Sequence, residues 1–142
     1  MSFSRTAPYG AMLLRLSLGV LFLAHGLLKV LVFTLPGTAA FFGTLGYPPA
    51  LAYVVVGLEI VGGLMLLAGL FTRVVSLALA PLLIGALLVH LPNGWRFSAA
   101  NGGWEFPALW IVLLFAQALL GPGAFALRLP RALSSSANPV SI

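Results

Sequence analysis

The sequence predicts an all-α integral membrane protein, a four-helix bundle with both termini in the cytoplasm. First, 61% of the 142 residues are hydrophobic and only 6% are charged. A soluble domain of this size needs far more charge on its surface. Second, the apolar residues form long continuous runs instead of the alternating pattern of a membrane β-barrel. Third, basic residues lie at the ends of these runs, where membrane anchors are expected.

Four apolar segments are close to the roughly 20 residues that a helix needs to cross the hydrocarbon core. They comprise residues 11–34, 50–71, 74–91 and 106–127. Pro81 removes one backbone hydrogen bond from the third segment and predicts a bend there. The connection 35–49 contains aromatic residues among glycines and prolines, which predicts a short interfacial helix in the first outer loop.

The basic residues determine the predicted orientation. One side of the four-span arrangement carries Arg5, Arg15, Arg73, Arg128 and Arg131, and the other carries Lys29, Arg96 and Glu105. The positive-inside rule places the arginine-rich side in the cytoplasm, which predicts a multi-pass protein of the bacterial inner membrane. Residues 1–131 are expected to form one transmembrane domain, and the polar segment 132–142 a disordered cytoplasmic tail.

Ionisable side chains within the spans predict one polar pocket. Each costs about 2.5–3.5 kcal/mol to insert, so each needs a partner or a function. Counted along their helices, His25 and Glu59 both lie roughly 13 Å below the outer surface. Lys29 is one turn above His25, and His90 and Glu105 flank the outer ends of the third and fourth helices. The alternative is that a Lys–Glu or His–Glu pair only fixes the register of two helices.

Several segments resemble, in order and spacing, the DoxX family of small four-helix membrane proteins. These segments are RLSLGVLFLAHGLLKV (15–30), FFGTLGYP (41–48), GLEIVGGLMLLAGLFTR (57–73), HLPNGWRF (90–97), NGGWEFPAL (101–109) and LLGPGAFAL (119–127). The family pattern places a basic residue at Lys29, acids at Glu59 and Glu105, and a histidine at His90; only part of the family shares His25. The resemblance implies a link to membrane oxidoreductase complexes. DoxD-type relatives are linked to thiosulfate oxidation with quinone as the acceptor.

The leading hypothesis is therefore a quinone-interacting subunit of a membrane oxidoreductase system. In this hypothesis His25 or Lys29 donates hydrogen bonds to the quinone carbonyls, and Glu59 holds or passes a proton. The catalytic candidates are Glu59, Lys29 and His25, and the cofactor-binding candidates are His90, Glu105, Trp104, Phe22 and Phe41. No metal site is predicted. The chain has no cysteine and no flavin or nicotinamide motif, so electrons must come from a soluble or membrane redox partner.

Other functions remain open at this point. The pocket could hold a lipid or isoprenoid without catalysis, or the protein could be a scaffold that recruits soluble enzymes. A haem between His25 and His90 is disfavoured because their predicted depths differ by roughly 12 Å. A proton-coupled transporter would require a dimer, and a homodimer through Gly121 and Gly123 is one possibility. The dispersed basic residues do not indicate nucleic-acid binding.

Overall fold

A computed structural model describes residues 3–129, and this part of the chain is all-helical. The helices are α1 (Phe3–Leu31), α2 (Leu35–Thr44), α3 (Leu51–Ala68), α4 (Thr72–His90) and α5 (Glu105–Leu120), with a 3-10 turn (Leu91–Asn93) after α4. By length and composition α1, α3 and α4 are able to cross a membrane, whereas α5 has only 16 residues. The all-α prediction is confirmed. The fourth span and the cytoplasmic position of the termini remain predictions.

The predicted helix bounds are wrong at two ends. The first span begins earlier, because α1 starts at Phe3 and continues through Pro8. The fourth span ends earlier, because Gly121 has a φ of 82° and is followed by Pro122, which cannot continue a helix. The chain then folds back, and Ala124 N donates to the Pro8 carbonyl at 2.9 Å. The predicted tail 132–142 lies outside the described residues.

Glycines allow α1 and α3 to approach each other closely. A Cβ built on Gly63 would lie 2.8 Å from the Leu23 backbone nitrogen and 3.0 Å from the Gly19 carbonyl oxygen. Gly62, the residue before Gly63, faces the Leu79 side chain of α4 instead. Helix α4 also packs on α5, and α1 makes a smaller contact with α5. The core between these helices contains Leu18, Phe22, Leu66, Val75, Leu79, Leu83, Trp110 and Leu114.

The two ends of the helices have different structures. We call the cavity end the one at which α1 and α4 end and α3 and α5 begin, and the arginine end the opposite one. Helix α2 is held at the cavity end, where Thr38 Oγ1 donates to the Lys29 carbonyl at 3.2 Å. The loop 94–104 is held there by Asn93 Nδ2, which donates to the Gly102 carbonyl at 2.8 Å. Residues of both connections line one space together with ionisable residues of α1 and α3.

Candidate functional site

An ion pair between the partly buried Lys29 and the buried Glu59 joins α1 to α3 near the cavity end. Lys29 Nζ donates to both carboxylate oxygens of Glu59, at 2.7 and 2.8 Å. The Glu59 side chain is 4% exposed and the Lys29 side chain 21%. Gly26, one turn before Lys29, allows the close approach, since a Cβ there would lie 3.2 Å from Glu59 Cβ. The expected contact between Lys29 and Glu59 is therefore present.

A cavity of about 640 Å³ lies beside this ion pair. Most of its wall is apolar and comes from the facing sides of α3 and α4. Helix α2 and the loop 94–104 contribute aromatic and glycine residues to it. Of the residues singled out in the sequence, the cavity brings together His25, Lys29, Glu59, His90 and Phe41. Four ionisable side chains thus share one largely apolar space, which is an arrangement suited to an amphipathic ligand.

The two histidines of the cavity are held in the same way. His25 Nδ1 lies 2.8 Å from the Leu21 carbonyl oxygen, and His90 Nδ1 lies 2.6 Å from the Ala86 carbonyl oxygen. A carbonyl oxygen only accepts hydrogen bonds, so Nδ1 must carry the proton in each ring. In the neutral imidazole Nε2 is then a lone-pair acceptor. Each histidine therefore has its Nε2 left for a ligand.

Three predicted site residues lie outside the cavity wall. Glu105 begins α5 and accepts a hydrogen bond from Phe97 N at 3.0 Å, so its carboxylate fastens the loop to the helix start. Trp104 packs edge-on against Trp95, with ring centroids 4.5 Å apart. Phe22 is fully buried in the core. Glu105, Trp104 and Phe22 thus do not line this cavity, and their roles in a site stay predictions.

Trp110 is a cavity residue that the sequence analysis did not single out. Its indole Nε1 is buried and has no hydrogen-bond partner among residues 3–129. Its ring lies edge-on to His25 at 4.9 Å and packs on Phe22 at 4.7 Å. A buried tryptophan usually finds a partner for its N–H. The sequence offered one indication of this: the residues one turn from Trp110 on its own helix face, Phe106, Pro107, Leu113 and Leu114, are all apolar and leave the indole N–H without a nearby partner.

Arginines at the opposite end bind backbone carbonyls instead of a cavity. Arg73 Nη1 donates to the Ala118 and Leu119 carbonyls, both at 2.8 Å, at the end of α5. Arg15, expected to reach the membrane surface as an anchor, is only 1% exposed and donates to the Ala124 carbonyl at 3.3 Å. Its guanidinium also lies against Gly69, which ends α3. Cations at helix C-termini are favoured by the exposed carbonyl dipoles.

Residues 3–129 are all-helical, include three helices able to span a bilayer, and place ionisable residues around a cavity. These features are those of a small helical membrane protein. The DoxX family model matches residues 10–91, more than half of the chain. The chain belongs to the DoxX family. The matched region contains Lys29, Glu59 and His90 and ends before α5 begins.

Two relatives have recognisable sequence similarity to this chain. The Bacillus subtilis (strain 168) protein named "Putative oxidoreductase CatD" is 42% identical over 85 residues, which cover 60% of this chain and 62% of the relative. An uncharacterized protein of Haemophilus influenzae (strain ATCC 51907 / DSM 11121 / KW20 / Rd) is 34% identical over 123 residues, or 84% of this chain and 89% of the relative. The chain thus aligns with less than two thirds of the Bacillus protein. No solved structure matches the chain.

Proposed function

We propose that this protein is a quinone-interacting subunit of a membrane-associated oxidoreductase system, and that its cavity is the quinone site. The main support for the proposal is that both hydrogen-bond donors and hydrogen-bond acceptors belong to residues that line one largely apolar cavity. The oxidised ligand has carbonyl oxygens and needs donors, whereas the reduced ligand has hydroxyl groups and also needs acceptors. A cavity that serves both forms must supply both kinds of group.

As donors we propose Lys29 and Trp110, two residues that line the cavity. The Lys29 ammonium has three N–H bonds and directs two to Glu59, so one is left for a carbonyl oxygen. Trp110 has its indole N–H without a partner in the described part of the chain. Both groups lie in a largely apolar wall, where hydrogen bonds to a developing negative charge are strengthened by the low dielectric.

The acceptors of the cavity are the Nε2 atoms of His25 and His90, so His25 takes the opposite role to the donor expected from the sequence, because its Nδ1 proton is bound to the Leu21 carbonyl. A bound quinone would supply two-electron, two-proton redox chemistry at this position. The histidines would accept hydrogen bonds from the hydroxyl groups of the reduced form. Glu59 would hold or pass a proton, because its carboxylate lies in the cavity wall and is bound through both oxygens to Lys29. The surrounding apolar side chains would exclude water from these groups.

The electrons would come from a partner, either a soluble reductant or another membrane protein. The chain has no cysteine, so it offers no thiolate for redox exchange or cluster ligation. The name of the Bacillus relative, "Putative oxidoreductase CatD", supports an oxidoreductase context. The competing proposal is that the same cavity binds a redox-inactive lipid or isoprenoid, which its apolar wall also favours.

The test is the quinone content of protein extracted gently with its native lipids. We expect the wild type to retain quinone at close to one molecule per chain. Lys29→Ala and Glu59→Gln should each lose most of it, because each removes a partner of the ion pair. Arg96→Gln removes an exposed cation of the loop and should retain the wild-type quinone content.

A loss of quinone through unfolding must be separated from a loss of chemistry. The double variant Lys29→Met, Glu59→Leu removes both charges together and leaves neither one buried and unpaired. Replacing a buried ion pair by apolar residues is often neutral for stability, so this variant should fold and still lack quinone. Full quinone retention in Lys29→Ala and Glu59→Gln would refute the proposal. A co-purified lipid other than a quinone would favour the competing one.

A further inference from the structure

A cleft between α3 and α4 connects the cavity with the outer surface of the two helices. Towards the arginine end the helices touch, since a Cβ built on Gly62 would lie 3.0 Å from the Leu79 side chain. Towards the cavity end, residues on their facing sides line the cavity. They recur at three- and four-residue spacing along each helix, as one helix face requires: Leu51, Val54, Leu58 on α3 and Ala78, Pro81, Gly85 on α4.

The rims of this cleft are apolar and open to the surface. On α3, Val54 is 56% exposed and Leu58 42% exposed. On α4, Ala78 and Pro81 are exposed. All four also line the cavity, and a residue that is both exposed and cavity-lining marks the mouth of the cavity. Both helices are long and apolar enough to cross a bilayer, so this mouth faces hydrocarbon instead of water.

The polar groups lie on the inner wall of the same space. Glu59 is 3% exposed, and it binds Lys29 of α1, the helix that packs on α3. A ligand in this space would therefore place its polar head against the ion pair and its apolar part along the cleft. Such a division matches a molecule with a polar ring and a long hydrocarbon chain.

Building on the quinone site proposed above, we propose that the ligand enters sideways from the bilayer and leaves its hydrocarbon chain in the cleft between α3 and α4. The site would then select a membrane-dissolved quinone with a long apolar tail over a water-soluble ring. The hydrocarbon tail of the quinone would exchange contacts with lipid for contacts with apolar side chains of the cleft. The ring alone would enter the polar part of the cavity.

Two glycines provide a matched test of this entry route. A Cβ on Gly85 or on Gly57 would meet no atom within 4 Å, so both positions accept a larger side chain without a backbone clash. Gly85 lines the cavity on α4, whereas Gly57 is an exposed residue of α3 outside the cavity wall. Gly85→Leu should obstruct the cleft, and Gly57→Leu should leave it open.

The measurement is quenching of intrinsic tryptophan fluorescence by two benzoquinones with the same ring, one with a decyl chain and one without, at a fixed detergent concentration. We expect Gly85→Leu to weaken binding of the decyl compound by roughly tenfold, the effect of about two methylenes losing their apolar contacts. Binding of the tail-less ring should weaken less than binding of the decyl compound, since the polar groups proposed to bind the ring are retained. Gly57→Leu should match the wild type with both compounds.

The outcomes separate the entry route from the quinone site. Equal affinity of the wild type for both compounds, or equal weakening of both by Gly85→Leu, would overturn the entry route while keeping the quinone site. Failure of the wild type to bind either compound would overturn both proposals. Selective loss of the decyl compound in Gly85→Leu supports the sideways entry.

Discussion

The cavity end and the arginine end of this molecule both hold cations among apolar helices, but the hydrogen-bond partners of these cations differ. At the cavity end Lys29 is paired with a carboxylate, and the pair lies in the wall of an open space. At the arginine end Arg15 and Arg73 are bound to backbone carbonyls where helices finish. We infer that the role of a cation between these helices depends on the chemistry of its partner. Carbonyl partners hold the backbone together, whereas a carboxylate partner is itself able to take part in proton chemistry.

This difference has a measurable consequence. Substitutions at the arginine end should change the free energy of unfolding and leave the ligand properties of the folded protein unchanged. Substitutions at the ion pair should change both. SDS titration of the protein in mixed micelles measures the free energy of unfolding, and the quinone content of the folded fraction measures ligand binding.

The largest effect is expected for Lys29→Met. It leaves the Glu59 carboxylate, with a side chain only 4% exposed, buried without a cation. Removing one partner of a buried pair typically costs about 3–5 kcal/mol, and the free energy of unfolding should fall by this amount. Glu59→Gln should cost less, because the Lys29 side chain is 21% exposed and its ammonium is able to turn towards water.

The control for this prediction is the double variant Lys29→Met, Glu59→Leu, which should recover most of the lost stability. If Glu59→Gln proves more destabilising than Lys29→Met, the carboxylate is not the member of the pair that depends on its partner. Lys29 would then be the residue that is more costly to leave without its partner.

A smaller effect is expected for Arg73→Met at the arginine end. This substitution keeps the apolar stem and removes the hydrogen bonds to the Ala118 and Leu119 carbonyls. A hydrogen bond to a charged group contributes about 1.5–3 kcal/mol. Because Arg73 is exposed and water replaces part of both bonds, the unfolding free energy should decrease by about the value of one such bond. Arg73→Lys should recover part of it. Quinone content per folded chain should equal that of the wild type, and a specific loss of quinone would remove the functional distinction between the two ends.

A comparable or smaller effect is expected where α1 and α3 touch, between the two ends. Gly63→Ala places a methyl group 2.8 Å from the Leu23 backbone nitrogen, so the helices must separate. Overpacking of this kind costs about 1–3 kcal/mol. Gly57→Ala, where a Cβ meets nothing within 4 Å, is the matched control and should be stabilising by up to about 1 kcal/mol. Equal effects of the two alanines would show that the close approach does not matter for stability.

The sequence predicted the helices and the proximity of Lys29 and Glu59, because both follow from counting residues along individual apolar segments. Long apolar runs identify spans, and counting residues along two antiparallel helices gives the depth of a side chain. The family resemblance pointed to the same residues. Depth alone does not give the direction in which a side chain points around its helix axis. Phe22 was proposed as an aromatic flank of the ring; it lies in the core and packs on Trp110, which lines the cavity.

The arginine end shows a second limit of sequence reasoning. Arg15 lies one turn from the core residue Leu18 and was expected to reach water. Its burial depends on the chain returning after α5, where Ala124 meets the beginning of α1. The predicted fourth span continued through this return, so no carbonyl partner for Arg15 was expected there. Contacts between residues so distant along the chain require the fold itself.

The smallest effect on the unfolding free energy is expected for Glu105→Gln. This variant tests whether Glu105, a predicted site residue, takes part in ligand binding although it does not line the cavity. The chain has two acidic residues, so this variant is the natural counterpart of Glu59→Gln. Glu105 accepts a hydrogen bond from Phe97 N, and a glutamine oxygen would accept the same bond. Only the interaction of a negative charge with the start of α5 is lost, at about 0.3–1 kcal/mol. Quinone content should therefore stay at the wild-type value while Glu59→Gln loses it. If both variants lose quinone equally, Glu105 belongs to the functional site, and the ligand must extend beyond the cavity to the loop that Glu105 holds.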